Sequence, residues 1–157
     1  MGPEDLDAVL AVQRAAYAPP YHESGEVLAA KQILGGALCQ VAEDAGSCVG
    51  YVLAHPWSLA QLPPLHRVCA PPPAPDGVFL HDLALAPAAR GIGLGQRLLA
   101  AVEAAVAGRF ERIGLISLPA ALGFWHRHGF VAEPAADPAA CGYGIGARYL
   151  TRTVLSA

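Results

Sequence analysis

The sequence predicts one domain of the α/β (α+β) class, with helices and strands interleaved along the chain. Two observations support this prediction. Segments with helical and strand-like hydrophobic spacing follow one another in the order α-α-β-β-β-α-β-α-β-β. The chain has 157 residues, of which 54% are hydrophobic and 15% charged, so it is long and apolar enough to bury a core of its own.

Four segments have the apolar spacing of a helix, and each has a start or stop signal. Pro3 fits the first turn of the first helix, where a proline is tolerated. Glycines follow the other three, at Gly35-Gly36, Gly108 and Gly129. The helices are predicted over residues 3–16, about 24–34, 96–107 and 119–128.

The strands are short apolar runs bounded by turn residues. Asp44-Ala45-Gly46 predicts a hairpin between the first two, and the third is almost free of charge, as expected for a strand buried on both faces. Residues 55–77 contain seven of the fourteen prolines and predict a long loop, a feature that is often functional in a compact domain. The strands are predicted over residues 37–42, 47–54, 78–86 and 112–118, from residue 130, and over 147–155.

The composition limits the functions that fit the chain. A net charge of −3 and scattered basic residues argue against nucleic-acid binding. No apolar run reaches the roughly 18–20 residues that cross a bilayer, and the N-terminal segment lacks the basic start of a signal peptide. We therefore expect a cytoplasmic protein without a membrane partner. No cysteine pair has C-x-x-C spacing, and His126 and His128 lie two apart on a helix, so we expect no metal site.

The most informative segment is Arg90-Gly91-Ile92-Gly93-Leu94-Gly95-Gln96, between the third strand and the third helix. Its glycines leave the backbone with little side-chain cover, and free amides at a helix start attract anions. We therefore expect an anion cradle, most often one for phosphate. The spacing G-x-G-x-G differs from the dinucleotide fingerprint, and the Gly-Lys-Ser/Thr ending of a P-loop is absent. The alternative is a glycine-rich turn without a ligand.

The segments around this loop resemble the acyl-CoA-binding motif of the GNAT superfamily of N-acetyltransferases. The family signature, Arg/Gln-x-x-Gly-x-Gly/Ala, is met by Arg90, Gly93 and Gly95 after the strand His81-Asp82-Leu83-Ala84-Leu85. Residues 122–130 are similar to the second family marker, an aromatic pair on a helix followed by Gly-Phe.

The resemblance implies a fold and a cofactor. The fold is expected to be a mixed, mostly antiparallel central sheet with a splayed pair of central strands and about four helices. The cofactor is expected to be acetyl-CoA, with its pyrophosphate on the glycine loop and its pantetheine arm along the exposed backbone of the third strand. The expected cofactor contacts are Leu83, Ala84, Leu85, Arg90, Gly91, Ile92, Gly93, Leu94, Gly95, Gln96 and Trp125.

Three positions depart from the family pattern. Only about three residues precede the first helix, where the family usually has a strand, and the Asn that often precedes the aromatic helix falls near Leu118. Many members have a Tyr at the position of Trp125, and that Tyr often protonates the departing thiolate. A thiol with a pKa near ~8.5 can leave without a proton donor, which would allow Trp125 to pack against CoA or the core. If an acid is needed, Tyr143 and Tyr149 are the candidates.

The acceptor amine must lose a proton, which requires a base. His81 and Asp82 lie on the strand expected to border the CoA sulfur, and alternation along a strand predicts that they point to opposite faces. His81 is the preferred base because its pKa lies near neutral pH; the alternative is a packed core histidine, with Asp82 capping a neighbouring element. The resemblance implies that the loop between the first two helices lines the acceptor site; the alternative is an ordinary surface loop. Its candidate residues are Tyr17, Tyr21, His22 and Glu23.

We therefore expect an acetyl-CoA-dependent N-acetyltransferase that acts on an amine of a small molecule or a protein, by direct attack and without a covalent enzyme intermediate. A backbone amide near residues 83–85 is expected to hold the oxyanion. The alternative from a different class is a protein that binds acyl-CoA without turning it over. The acidic charge disfavours acetylation of charged tRNA. Both a monomer and a homodimer fit the sequence.

Overall fold

The computed structural model describes residues 1–134 and 136–154. The helices are α1 (Leu6–Ala16), α2 (Gly25–Gly35), α3 (Leu94–Val106) and α4 (Leu122–Arg127). The strands are β1 (Gln40–Asp44), β2 (Ser47–Trp57), β3 (Gly77–Leu85), β4 (Arg112–Ser117), β5 (Val131–Ala132) and β6 (Arg148–Thr153). This order confirms the expected mixed α/β class. The part of the last predicted strand at residue 155 lies outside the described residues.

The strands form one six-stranded sheet in the order β1-β2-β3-β4-β6-β5. The β3–β4 pair is parallel, and the other neighbours are antiparallel. The expectation of a mixed, mostly antiparallel sheet is therefore confirmed.

Helices cover both faces of the sheet. Side chains of α1 and α2 pack on one face, against Tyr51, Leu53 and Ala84. Side chains of α3 and α4 pack on the other face, in a larger core that includes Val52 and Leu80. The central strands are thus buried on both sides, which explains why β3 has an almost uncharged sequence. Within the described part of the chain, no helix has the length and apolar character needed to cross a membrane.

Strand β2 is longer than the sequence predicts, because it continues through Pro56 to Trp57. Proline usually marks a strand's end, since it has no N–H to donate. Here β1 pairs with β2 only as far as Gln40–Val52, so Pro56 has β3 on one side and no strand on the other. On the side without a strand, the missing N–H of Pro56 therefore leaves no hydrogen bond to a neighbouring strand unmade.

Candidate active site

A β-bulge in β3 places His81 and Asp82 on the same face of the sheet. Leu53 pairs with Asp82, whereas the next residue, Ala54, pairs with Leu80, so His81 is an extra residue without a partner on β2. His81 contacts Glu23, and Asp82 contacts a side chain that follows α1. The prediction that His81 and Asp82 point to opposite faces is wrong, because simple alternation fails at a bulge.

The parallel strands β3 and β4 separate next to this bulge. Their last pair is Leu80–Leu115, although β3 continues to Leu85 and β4 to Ser117. Within the described chain, residues 83–85 therefore have β2 on one side and no strand on the other. This geometry confirms the expected splayed pair of central strands.

In the glycine loop, residues 90–96, the segment 90–93 that precedes α3 is exposed to solvent. Gly91 and Gly93 have φ angles of +80° and +81°, and a Cβ atom at either position would meet no atom within 4 Å. Gly93 caps α3 without a side-chain hydrogen bond, and the first turn contains no acidic residue. The amides that begin α3 therefore face no protein anion and can receive one from outside.

Glu23, Lys31 and His81 form a buried cluster beside the splayed strands, with exposed fractions of 5%, 3% and 8%. Lys31 Nζ lies 2.6 and 2.7 Å from the two carboxylate oxygens of Glu23. His81 Nε2 lies 2.9 Å from Glu23 Oε2 and also contacts Lys31 Nζ. The backbone N–H of His66 donates to Glu23 Oε1 at 2.7 Å.

These contacts decide the charge of Glu23. Burial alone would raise the pKa of this carboxyl group. The hydrogen bonds of His81 and Lys31, together with the charge of Lys31, outweigh burial and lower the pKa to about 2. Glu23 is therefore ionised at neutral pH.

His81 has one free ring nitrogen. Burial and the charge of Lys31 lower the pKa of His81, so the ring is neutral at pH 7. A neutral ring holds one hydrogen, so Nε2 either donates to Glu23 or accepts from Lys31. In the first arrangement, Nδ1 keeps a lone pair. Among the described residues, Nδ1 of His81 is the one buried side-chain polar atom without a hydrogen-bond partner. Such an atom in a native fold calls for an external partner.

Asp82 is held by two phenols. Tyr17 Oη donates to Oδ1 at 2.6 Å, and Tyr51 Oη donates to Oδ2. Burial raises the pKa of Asp82 above its ordinary value, although the hydrogen bonds of the two hydroxyl groups act in the opposite direction. No ion pair within the described chain includes Asp82. Its carboxylate is therefore stabilised by neutral donors.

A cavity of about 50 Å³ joins these groups where β3 and β4 separate. Its lining residues are Tyr17, Tyr21, Glu23, Leu65, His81, Asp82, Ile116, Leu118 and Tyr143. The cavity thus brings together both base candidates, one acid candidate and three of the four predicted acceptor-binding residues. A larger open depression, of about 590 Å³, lies near the N-terminus and has no histidine or carboxylate side chain in its lining.

The two tyrosines considered as acids occupy different places. The Tyr143 ring lies 6.4 Å from the His81 ring, and its hydroxyl donates to the Pro63 carbonyl at 3.4 Å. Tyr149 does not line the cavity; its hydroxyl donates to the Leu59 carbonyl at 2.9 Å, and burial raises its pKa to about 12. Only Tyr143 is therefore positioned beside the base candidates.

Two other predicted site residues also lie outside the cavity lining. Trp125 is buried in the core, with its ring centroid 4.9 Å from Phe124 and 5.3 Å from Phe130. Core packing is one of the two roles that the sequence left open for this residue, and its contact with CoA stays a prediction. His22 Nε2 donates to the Tyr17 carbonyl at 2.8 Å, so it supports the loop that lines the site.

Sequence reasoning misses two residues that contact the base candidates, Lys31 beside His81 and Tyr51 beside Asp82. Lys31 is the only lysine in the chain and follows Val27 and Leu28 on the buried face of α2. A lysine at helical spacing from apolar residues is a signal that could have identified it. Tyr51 has no such signal, because its contact with Asp82 depends on strand register.

The chain belongs to the acetyltransferase (GNAT) family, whose model matches residues 6–130. No curated protein has a significantly similar sequence. The fold is similar to that of the GNAT-like decarboxylase GphF in complex with isobutyryl-CoA, with a TM-score of 0.80 and 22% identity over 99% of this chain and 97% of that chain.

Two further solved structures have the same fold. The PaiA N-acetyltransferase from Thermoplasma acidophilum, in complex with coenzyme A, has a TM-score of 0.70 and 16% identity over 98% of this chain and 95% of that chain. The loading GNATL domain of CurA from Lyngbya majuscula has a TM-score of 0.77 and 14% identity over 98% of this chain and 95% of that chain. A decarboxylase and an N-acetyltransferase thus share the fold, so the reaction has to be argued from the site.

Proposed function

We propose that this protein transfers an acetyl group from acetyl-CoA to a primary amine, with His81 as the general base. The observation that supports this most directly is the unpartnered Nδ1 of His81, buried at the cavity where β3 and β4 separate. Membership of an acetyltransferase family and the coenzyme A ligands of two similar structures support the choice of cofactor.

The amides of residues 91–96 are the proposed site of the CoA diphosphate. They begin a helix, they are uncapped, and two left-handed glycines keep the approach open. Arg90 supports the loop, since its Nε donates to the Leu85 carbonyl at 3.4 Å and its Nη2 to the Ala16 carbonyl at 3.3 Å. The open backbone of residues 83–85 leads from this loop to His81 and is the proposed path of the pantetheine arm. Bound acetyl-CoA supplies the thioester.

His81 must first receive a proton from the amine, because an alkylamine with a pKa of about 10.4 is an ammonium ion at neutral pH. In the productive arrangement Nε2–H donates to Glu23, and Nδ1 accepts the amine proton. The amine nitrogen then forms a bond to the acetyl carbon, the carbon–sulfur bond breaks, and sulfur keeps the electron pair. The second proton of the amine nitrogen passes to the departing thiolate or to water, which leaves a neutral amide. Glu23 stabilises the imidazolium, as a carboxylate does in other catalytic pairs. A backbone amide of residues 83–85 is the proposed donor to the oxyanion.

Calorimetry with coenzyme A tests the glycine loop. Gly93→Asp places a negative charge at the start of α3, whereas Gly93→Asn adds a neutral group of nearly the same shape that tolerates the left-handed conformation. We expect the Asp variant to bind coenzyme A at least about tenfold more weakly than the Asn variant. Equal affinities would mean that the diphosphate binds elsewhere.

Thiol release from acetyl-CoA in the presence of amines tests the reaction. His81→Ala should lower kcat at least about 100-fold, with the largest loss at low pH, where amine deprotonation is hardest. His126→Ala is the matched control, because His126 is an exposed histidine on α4 and does not line the cavity. An unchanged pH–rate profile in His81→Ala would remove His81 from the role of base.

A protein that binds acyl-CoA without turnover is the second candidate. Trp125 favours it, because this core residue stands where many family members have a proton-donating Tyr, and an indole N–H is no acid near neutral pH. Coenzyme A binding without thiol release from any amine would support this candidate. Conversion of malonyl-CoA to acetyl-CoA without thiol release would instead indicate a decarboxylase.

A further inference from the structure

We propose that the acceptor carries no carboxylate on the carbon next to its reacting nitrogen. The site would then accept alkylamines and the terminal amino groups of longer molecules, and would reject the α-amino groups of free amino acids. This inference rests on the proposed function and concerns the same cavity.

The charges of the cavity are the first reason. Lys31 balances the charge of Glu23 at 2.6 Å, whereas Asp82 has only the hydroxyl groups of two tyrosines as partners. With Glu23 paired to Lys31 and His81 neutral, the cavity lining presents no positive charge to an acceptor. No lysine or arginine lines the cavity, so an acceptor carboxylate would lose its water without gaining a cationic partner.

Lys31 cannot supply that missing charge. Its ammonium group already contacts both oxygens of Glu23 and lies against the ring of His81. Its side chain is 3% exposed and lies behind Glu23 rather than in the cavity lining. A carboxylate in the cavity would have to break this buried pair to reach Lys31.

The size of the cavity explains why the position of the carboxylate matters. A volume of about 50 Å³ holds only a few water-sized groups. The reacting nitrogen must reach His81 Nδ1, so a group on the adjacent carbon enters the cavity with it. A group several bonds away from the nitrogen does not have to enter this volume. Tyrosine faces also favour a cation over an anion.

The test compares amines that differ only by an α-carboxylate: butylamine with norvaline, and 1,4-diaminobutane with ornithine. We expect kcat/KM for butylamine to exceed that for norvaline at least about 100-fold. Ornithine should be acetylated on its δ-nitrogen, which mass spectrometry of the product can show. Values for norvaline within about tenfold of those for butylamine, or acetylation on the α-nitrogen of ornithine, would overturn the inference.

A charge added to the lining gives a second test. Leu65→Arg places a cation at the cavity. It should lower the ratio of kcat/KM for butylamine to kcat/KM for norvaline at least about tenfold. Val68→Arg is the matched control, because Val68 is 54% exposed in the same loop and does not line the cavity. A preference that stays unchanged in a folded Leu65→Arg protein would contradict the charge argument.

Ligand binding separates this inference from the proposed function. If no amine is acetylated, the proposed function fails, and the ring signals of His81 in NMR spectra still report which compound enters the cavity. Butylamine should shift these signals and norvaline should not. Equal shifts from both compounds would overturn the inference even in an inactive protein.

Discussion

Replacing Lys31 by Met should strongly destabilise the fold, because it leaves the Glu23 carboxylate buried without its ammonium partner. Breaking a buried ion pair on one side typically costs about 3–5 kcal/mol. Glu23 keeps the backbone N–H of His66 at 2.7 Å and the ring of His81 at 2.9 Å. We therefore expect a loss near the lower end, about 3 kcal/mol.

The pKa of Glu23 adds an expectation about the pH dependence of stability. A fall from 4.5 to about 2 corresponds to about 3 kcal/mol of stabilisation of the ionised form. Because the folded-state pKa lies below the unfolded value, this stabilisation is complete above pH 4.5 and is lost as the pH falls toward 2. Removing Lys31 removes part of the shift in the pKa of Glu23. The free energy of unfolding of Lys31→Met should therefore fall less steeply over that acid range than that of the unmodified protein.

Urea unfolding at pH 7 measures the effect, with Glu23→Gln and the double variant completing a double-mutant cycle. Gln at position 23 removes the buried charge and keeps the shape of the side chain. The free energy of unfolding of the double variant should therefore be at least about 2 kcal/mol higher than the sum of the two single losses predicts. A loss below about 1 kcal/mol in Lys31→Met, or strictly additive losses, would refute the description of this cluster as a coupled buried pair.

Two further predictions concern the sheet. Burial lowers the pKa of His55 to about 4. Between pH 6.5 and 4 the unfolded chain therefore binds a proton that the folded protein excludes, which costs about 3 kcal/mol at the acid end. His55→Leu should therefore flatten the loss of stability over that range in urea unfolding at several pH values, and an unchanged slope would contradict the assignment. Gly35→Ala should prevent folding or lower the melting temperature sharply, because its Cβ would lie 2.1 Å from the Ala54 carbonyl oxygen. Gly46→Ala is the control: its Cβ meets no atom within 4 Å, so the substitution should cost only its backbone strain of about 1–2 kcal/mol. Circular dichroism distinguishes these outcomes, and equal melting temperatures would show that the contact at Gly35 relaxes freely.

Much of the fold could be predicted because its signals are local. Hydrophobic spacing predicts the order of helices and strands, and the glycines at alternate positions identify the loop before α3 without any knowledge of the sheet. The segment around Pro56 shows the limit of such signals. A proline ends a strand only where a neighbour needs its N–H, and whether a neighbour exists is a property of the assembled sheet.

The candidate site could be predicted only in part. His81, Asp82 and Glu23 were identified from their residue types and places in the chain, and the cavity brings them together. Their mutual orientation depends on one extra residue in β3, and no periodicity in the sequence reveals such a bulge. Lys31 was missed because a lone lysine on a helix is usually solvated, and its burial follows from how α2 packs on the sheet.

The bulge at His81 directs both polar side chains of β3 to the same face of the sheet. Because His81 and Asp82 both face α1 and α2, the opposite side of the same strand is left to Leu80 and Leu83, which pack toward α3. Substitutions in α1 and α2 can therefore change the cavity that contains His81 without disturbing the packing of α3 on the opposite face of the sheet. In the proposed reaction, this separation would allow the acceptor to change while the cofactor stays the same.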